Sequence, residues 1–293
     1  MNARDLYRER QDPRIGIVYC PQLSPAGEQF ISLRKAREFW ERITHWSSLL
    51  AIAPRQATTA QLKLAHEAAY VEGVTSGRCP NGFGSSAPHL TEQARWACGA
   101  MIAATEHALE RRTGVCATVS SLAQAGWNYG AGFCTFNGLL VAERVARSEG
   151  WLGHGDTVLI YDGDASHGGG CVDIIQKLGI EGEVRYLGRD AGIDMSDPIG
   201  QLRDLSKDVG AFALVLYQAG VDAYSFDPRG PGNLLKVDLE ERDRVIFRAC
   251  ATAKVPLVWN LGSGCHETAS VIMHESTWKS FKSEYRRASR VGG

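Results

Sequence analysis

Short apolar runs alternate with longer amphipathic stretches along this chain from residue 14 onward. Six runs have the length and composition of strands: RIGIVYC (14–20), GVCATVS (114–120), DTVLIYD (156–162), EVRYLG (183–188), AFALVLYQAG (211–220) and VPLVWNLG (255–262). Apolar residues that run on, rather than alternate, mark strands buried on both faces. Between them, LTEQARWACGAMIAATEHALERR (90–112) and VDLEERDRVIFRACATAK (237–254) bring apolar residues back at three and four, which predicts amphipathic helices. Thr58 or Thr59, and Thr91 with Glu92 behind it, are candidate N-caps. Strand and helix in alternation predict an α/β fold, a parallel sheet with helices on both faces. At 293 residues, with no internal repeat and no low-complexity linker, residues 1–293 read as a single domain.

Composition narrows the function classes. A formal charge of -1 and a pI near 6.7 give neither a basic footprint for nucleic acid nor an acidic tail. The locally basic KSFKSEYRRASR (279–290) reads as the solvated face of a last helix. Eight cysteines stand singly, without Cys-x-x-Cys pairs, and the start MNARDLYRER is charged; both predict reduced thiols in a cytoplasmic protein. No apolar stretch approaches the ~20 residues of a bilayer span. The glycines of GWNYGAGFC (126–134) and LGSGC (261–265) lack the spacing of a dinucleotide loop, and no Walker lysine is present.

Candidate chemistry gathers past the end of the third run. In GDTVLIYDGDASHGGGC (155–171), Asp162, Asp164, Ser166 and His167 follow a buried strand, the place where open α/β sheets build their clefts. Three longer segments, GAGFCTFNGLLVAERVAR (130–147), VLIYDGDASHGGGCVDII (158–175) and LVLYQAGVDAYSFDPRGP (214–231), resemble in order and spacing the histone deacetylase, acetoin-utilisation and acetylpolyamine amidohydrolase family. ATTAQLKLAHEAAYVEGV (57–74) and VWNLGSGC (258–265) are similar to two further signature regions. The resemblance implies the arginase/deacetylase fold, with a parallel sheet of about eight strands flanked by helices.

It also implies a site. In that family an Asp and a His two apart, with a later Asp, hold zinc. A His-His pair moves protons on the zinc-bound water, and a Tyr polarises the amide carbonyl. By this resemblance Asp164 falls on the first zinc aspartate, Asp227 on the second, and Asp162 on the aspartate that orients a catalytic His and touches a potassium site. The zinc His falls on Ser166, the His-His-Ala stretch that carries the pair falls on Ala123-Gln124-Ala125, the second orienting Asp falls on Gly169, and the Tyr falls on Cys265. Imidazole is thus replaced wherever the chemistry needs it.

The remaining groups leave several roles open. Asp164 and Asp227 alone suit magnesium, calcium or manganese better than zinc, and if no metal binds, Arg229 or an amine ligand could lie between them. Asp162 and Asp164 could equally only accept backbone N–H bonds in the glycine-rich loop. His167 is a pocket wall, or else a displaced ligand or base. Cys265, beside His266, is a packing residue, a substitute zinc ligand, or a nucleophile activated by His167 or His266. Gln124 and Ser121 can orient a ligand but carry no proton near neutrality. Trp127, Phe133 and Phe136 line an apolar tunnel, with Cys134 among them and CPNGFGSSAPHL (79–90) over its mouth.

Two functions follow. One is a non-hydrolytic homologue that binds an acylated amine, a small amine or a protein partner through Asp162, Ser166, Gln124 and Phe133. The other is an enzyme with a rearranged centre: a hydrolase of C–N amide bonds using His167 or Cys265, with zinc if so rewired, or a biosynthetic catalyst.

Overall fold

The computed structural model describes residues 15–25, 28–44, 49–120, 122–166, 168–193, 197–230 and 232–291. Among them seven strands form one sheet: β1 Ile15–Val18, β2 Leu50–Ile52, β3 Gly114–Ala117, β4 Val158–Asp162, β5 Val184–Leu187, β6 Leu214–Gln218 and β7 Leu257–Asn260. They lie in the order β2-β1-β3-β7-β6-β4-β5, and each neighbouring pair is parallel. Nine helices connect and cover them among the described residues: α1 Ile31–Ile43, α2 Thr59–Leu62, α3 Ala68–Thr75, α4 Pro88–Arg111, α5 Gly138–Ser148, α6 Gly169–Leu178, α7 Pro198–Lys207, α8 Lys236–Ala253 and α9 Ala269–Val291.

All six runs read as strands are strands, each a few residues shorter than its apolar stretch. Their continuity has a physical cause, because successive side chains on a strand point to opposite faces and both faces are covered. Val158 and Ile160 pack with α4, α5 and α6, whereas Leu159 and Tyr161 of the same strand pack with α1, α8 and α9. Leu216 and Val258 go to the first layer; Tyr217 and Trp259 go to the second.

The structure corrects two sequence expectations and adds one strand. The sheet has seven strands among the described residues, in keeping with the sheet of about eight that the resemblance implies. The seventh, β2, is a three-residue, partly exposed edge strand, too short to leave a pattern. Thr91 is not an N-cap: α4 starts at Pro88, whose fixed φ and missing N–H suit a first helical turn, so Thr91 lies inside and is buried. Thr58 does cap α2, with Gln61 completing a capping box. The last helix is not simply solvated: α9 buries Trp278, Phe281 and Tyr285 and also covers Lys282 and Glu284, the latter paired with Arg248. All eight cysteines are free thiols.

Register aligns the strand ends. Asp162 pairs with Gln218, Gln218 with Asn260, Asn260 with Ala117, and Ala117 with Val18. The loops that leave β3, β4, β6 and β7 therefore rise from one edge of the sheet.

Candidate functional site

The loop after β4 is built around carboxylates. Asp162 accepts the Asp164 N–H at 3.0 Å and the Tyr186 hydroxyl at 2.8 Å. Asp164 accepts the Ser263 N–H at 3.0 Å on one oxygen, and the Gln218 amide at 2.7 Å and the Ser263 hydroxyl at 2.6 Å on the other. Close approach requires glycine opposite: a β-carbon on Gly220 would stand 1.7 Å from the Asp164 carboxylate. Burial, followed by the charge of Asp222, pushes the Asp164 carboxyl up to about 7, and burial with the Asp164 charge raises Asp162 well above the usual range.

Two further side chains extend this centre, through Ser263, as one directional chain. The Gln124 amide donates to the Ser166 hydroxyl at 3.1 Å, Ser166 donates to the Ser263 hydroxyl at 3.3 Å, and Ser263 ends the chain on Asp164. Gln124 is presented by the loop after β3. That loop is held by Asn137, whose side chain caps α5 and donates to the carbonyls of Ala123 and Ala125. His66 braces it from behind: its Nδ1 bonds the Gly126 carbonyl at 2.8 Å, while its Nε2 receives the Asn137 N–H at 2.9 Å. This wiring needs a neutral imidazole, and burial pulls its pKa down to about 4.

The sequence-predicted residues part company here. Asp164, Ser166 and Gln124 lie in one chain of hydrogen bonds. The oxygens of Asp227 accept four backbone N–H groups, from Arg229, Gly230, Cys265 and His266, so that it ties the loop after β6 to the loop after β7. The carboxylate whose charge weighs most on Asp164 is instead Asp222, which sequence reasoning passed over. Asp222 accepts the N–H groups of Ala165 and Ser166, both at 2.9 Å. Its place four residues past the end of β6 was the available signal.

The Arg229 guanidinium lies 5.3 Å over the Phe133 ring, away from the role of a cation between carboxylates. A buried cation under the influence of these carboxylates is instead Lys35 of α1, also missed. It is buried, and its Nζ donates to the Gly262 carbonyl at 2.8 Å and, more weakly, to that of Leu261 at 3.5 Å. Burial lowers its pKa to about 8, and the nearby charges of Asp164, Cys265, Asp222 and Asp227 counter that fall. A signal existed: Lys35 stands four residues before Phe39 and eight before Ile43, on the apolar stripe of its helix.

The Cys265 thiol is half-buried, and burial with the Asp227 charge raises its pKa, the reverse of what an activated nucleophile needs. His266 uses Nδ1 to accept the N–H groups of Thr268 and Ala269 at the start of α9. His167 and Ser121 lie outside the described residues. Phe133, held at φ 66°, meets Phe30 and Phe83 in a partly exposed aromatic group, and the 79–90 loop is pinned there by Phe133 N–H to Gly82 O and by Gly82 N–H to the Thr135 hydroxyl.

Residues 29–185, more than half of the chain, match the histone deacetylase domain family. The chain belongs to the histone deacetylase family. An uncharacterized protein of Picosynechococcus sp. is 27% identical over 236 residues, which span 72% of this chain and 77% of that protein. The crystal structure of the HDA15 HD domain superposes with a TM-score of 0.74 at 18% identity, covering 93% of this chain and 92% of that one. No helix among the described residues is long and apolar enough to cross a membrane.

The zinc that the family resemblance implies can be tested against these donors. Among the described residues no group of three or more His, Cys, Asp or Glu side chains comes together to hold a metal ion. Zinc favours nitrogen and sulfur, whereas Asp164 is committed to three neutral donors and Ser166 offers a hydroxyl already bonded to Gln124. The described residues do not fit zinc.

Proposed function

We propose that this histone deacetylase family member binds an acylated amine without hydrolysing it. The observation that carries the reading is the chain Gln124–Ser166–Ser263–Asp164, in which amide and hydroxyl groups hydrogen-bond one another. Hydrolysis of an amide requires a group that takes a proton from water and returns it to the leaving amine, a task for imidazole or a tuned carboxylate. Gln124 and Ser166 do neither near neutral pH. The Asp164 carboxyl is pushed up to about 7, and its oxygens are taken by Ser263 and Gln218.

The same groups suit recognition. Phe30, Phe83 and Phe133 supply aromatic surface, and the Gln124 amide lies directly behind the Gly132–Phe133 turn, where a β-carbon on Gly132 would strike it. Apolar walls with a few hydroxyl and amide groups at the base are the usual make-up of a small-molecule site. A neutral acyl group fits better than a free amine, because Lys35 already supplies an ammonium to the carboxylates.

The test is to titrate the protein with N-acetyl-cadaverine and with an acetyl-lysine peptide, following thermal stability and acetate release together. A saturable rise in Tm without acetate release supports the proposal, and Gln124→Ala should abolish that rise. Acetate released in proportion to protein concentration contradicts it and favours an enzyme with a rearranged centre.

A further inference from the structure

We propose that the Lys35 ammonium is the built-in counter-charge of the site's carboxylates, in the role that a divalent metal has in hydrolytic members of the family. The inference deepens the reading above and rests on the site working without zinc.

The placement of Lys35 is specific. It occupies the inner stripe of α1 with Leu33, Ala36, Phe39 and Ile43, all buried. A lysine on such a face is costly unless its charge is matched. Its Nζ is anchored on the Gly262 carbonyl at 2.8 Å, and the next residue, Ser263, grips Asp164 through both its N–H and its hydroxyl. Ammonium and carboxylate are thus held by consecutive residues of one turn. Glycines clear the space around them: a β-carbon on Gly262 would stand 2.6 Å from the Asp164 carboxylate, and one on Gly264 would stand 3.6 Å from Nζ.

The charges around this turn explain why a cation is needed. Asp164, Asp222 and Asp227, whose charges act on Lys35, are all buried. Asp222 fastens the loop after β4, and Asp227 fastens the loop that carries Cys265 and His266. Backbone N–H groups lessen the cost of burying these carboxylates but bring no net positive charge. Lys35 brings one, on a side chain that cannot diffuse away. A divalent ion placed there would meet a fixed ammonium and a carboxylate already satisfied by Ser263 and Gln218.

A double-mutant cycle tests this through stability, with no reference to activity. Lys35→Met keeps the length of the side chain and removes the charge; Asp164→Asn removes the negative charge held by the next residue of the same turn. Unfolding in urea should show the two substitutions coupled, the double variant recovering about tenfold or more of the folding constant lost in Lys35→Met. Losses that simply add would overturn the proposal, because a lysine needed only for its stem or for Gly262 is indifferent to position 164. Should Lys35→Met fail to fold, a folded Lys35→Met/Asp164→Asn protein is the expected result, and failure of both is the overturning one. An additive cycle in a protein that releases no acetate sinks the lysine assignment alone, and acetate release alongside a coupled cycle sinks the functional reading alone.

Discussion

Two buried cations on the same side of the sheet are wired in opposite ways. Arg242 of α8 forms a closed pair: it contacts Asp243 at 2.9 and 3.0 Å and donates at 2.9 Å to the carbonyls of Gly163 and Gly220. Asp243 is completed by the hydroxyls of Tyr217 and Thr277. Lys35 has no such fork. It bonds carbonyls and shares its charge with Asp164, Asp222 and Asp227 at longer range. The planar guanidinium locks one geometry, whereas the compact ammonium sets a field. One therefore holds the loops after β4 and β6 in place, and the other acts on the carboxylates through its charge.

The sharpest break in this contrast comes from Arg242. Arg242→Met leaves Asp243 buried with its partner gone, and should cost about 3–5 kcal/mol in urea unfolding. Lys35→Met should cost about 2 kcal/mol, because Asp164 can take up a proton instead, each pKa unit being worth ~1.4 kcal/mol. Equal losses would erase the distinction between a closed pair and a shared field.

A neutral brace sharpens the contrast through pH. The folded pKa of His66 is lowered to about 4, so the unfolded chain takes up the proton first as pH falls below the ordinary histidine value. The stability His66 contributes is full above about pH 6.5 and is lost as pH drops toward 4, by up to about 3 kcal/mol. Asp162 and Asp164 run the other way: their raised pKa values give stability in acid that is lost as pH rises. The comparison is therefore between wild type and His66→Gln, in which the carboxylate terms cancel. The gap between their unfolding free energies should close from pH 7 to pH 4, and a constant gap would remove His66 from this role.

The smallest effect is expected at Cys265. Its raised pKa predicts alkylation by iodoacetamide at pH 7.5 no faster than that of glutathione. Faster trapping would revive the nucleophile reading.

What the sequence revealed divides along the same line. Strands β4, β6 and β7 were legible because burial on both faces writes an unbroken apolar run, whereas β2 at the edge had nothing to write. Motif spacing led to Gln124, Ser166 and Asp164, which the fold joins in one chain. Asp222 was overlooked for Asp227 because the two stand five apart in one loop, and only packing separates the carboxylate beside Asp164 from the one that fastens a turn. Lys35 was overlooked because a lysine in an amphipathic helix ordinarily faces water. Its partners come from loops more than a hundred residues away, which no local pattern announces.

The most direct test of the central claim is the zinc content of wild-type protein prepared in zinc-supplemented medium and freed of loosely held ions, measured by mass spectrometry. A site closed by Gln124, Ser166 and Ser263 and charged by Lys35 should retain far less than one zinc per chain. One tightly held zinc per chain would contradict the account.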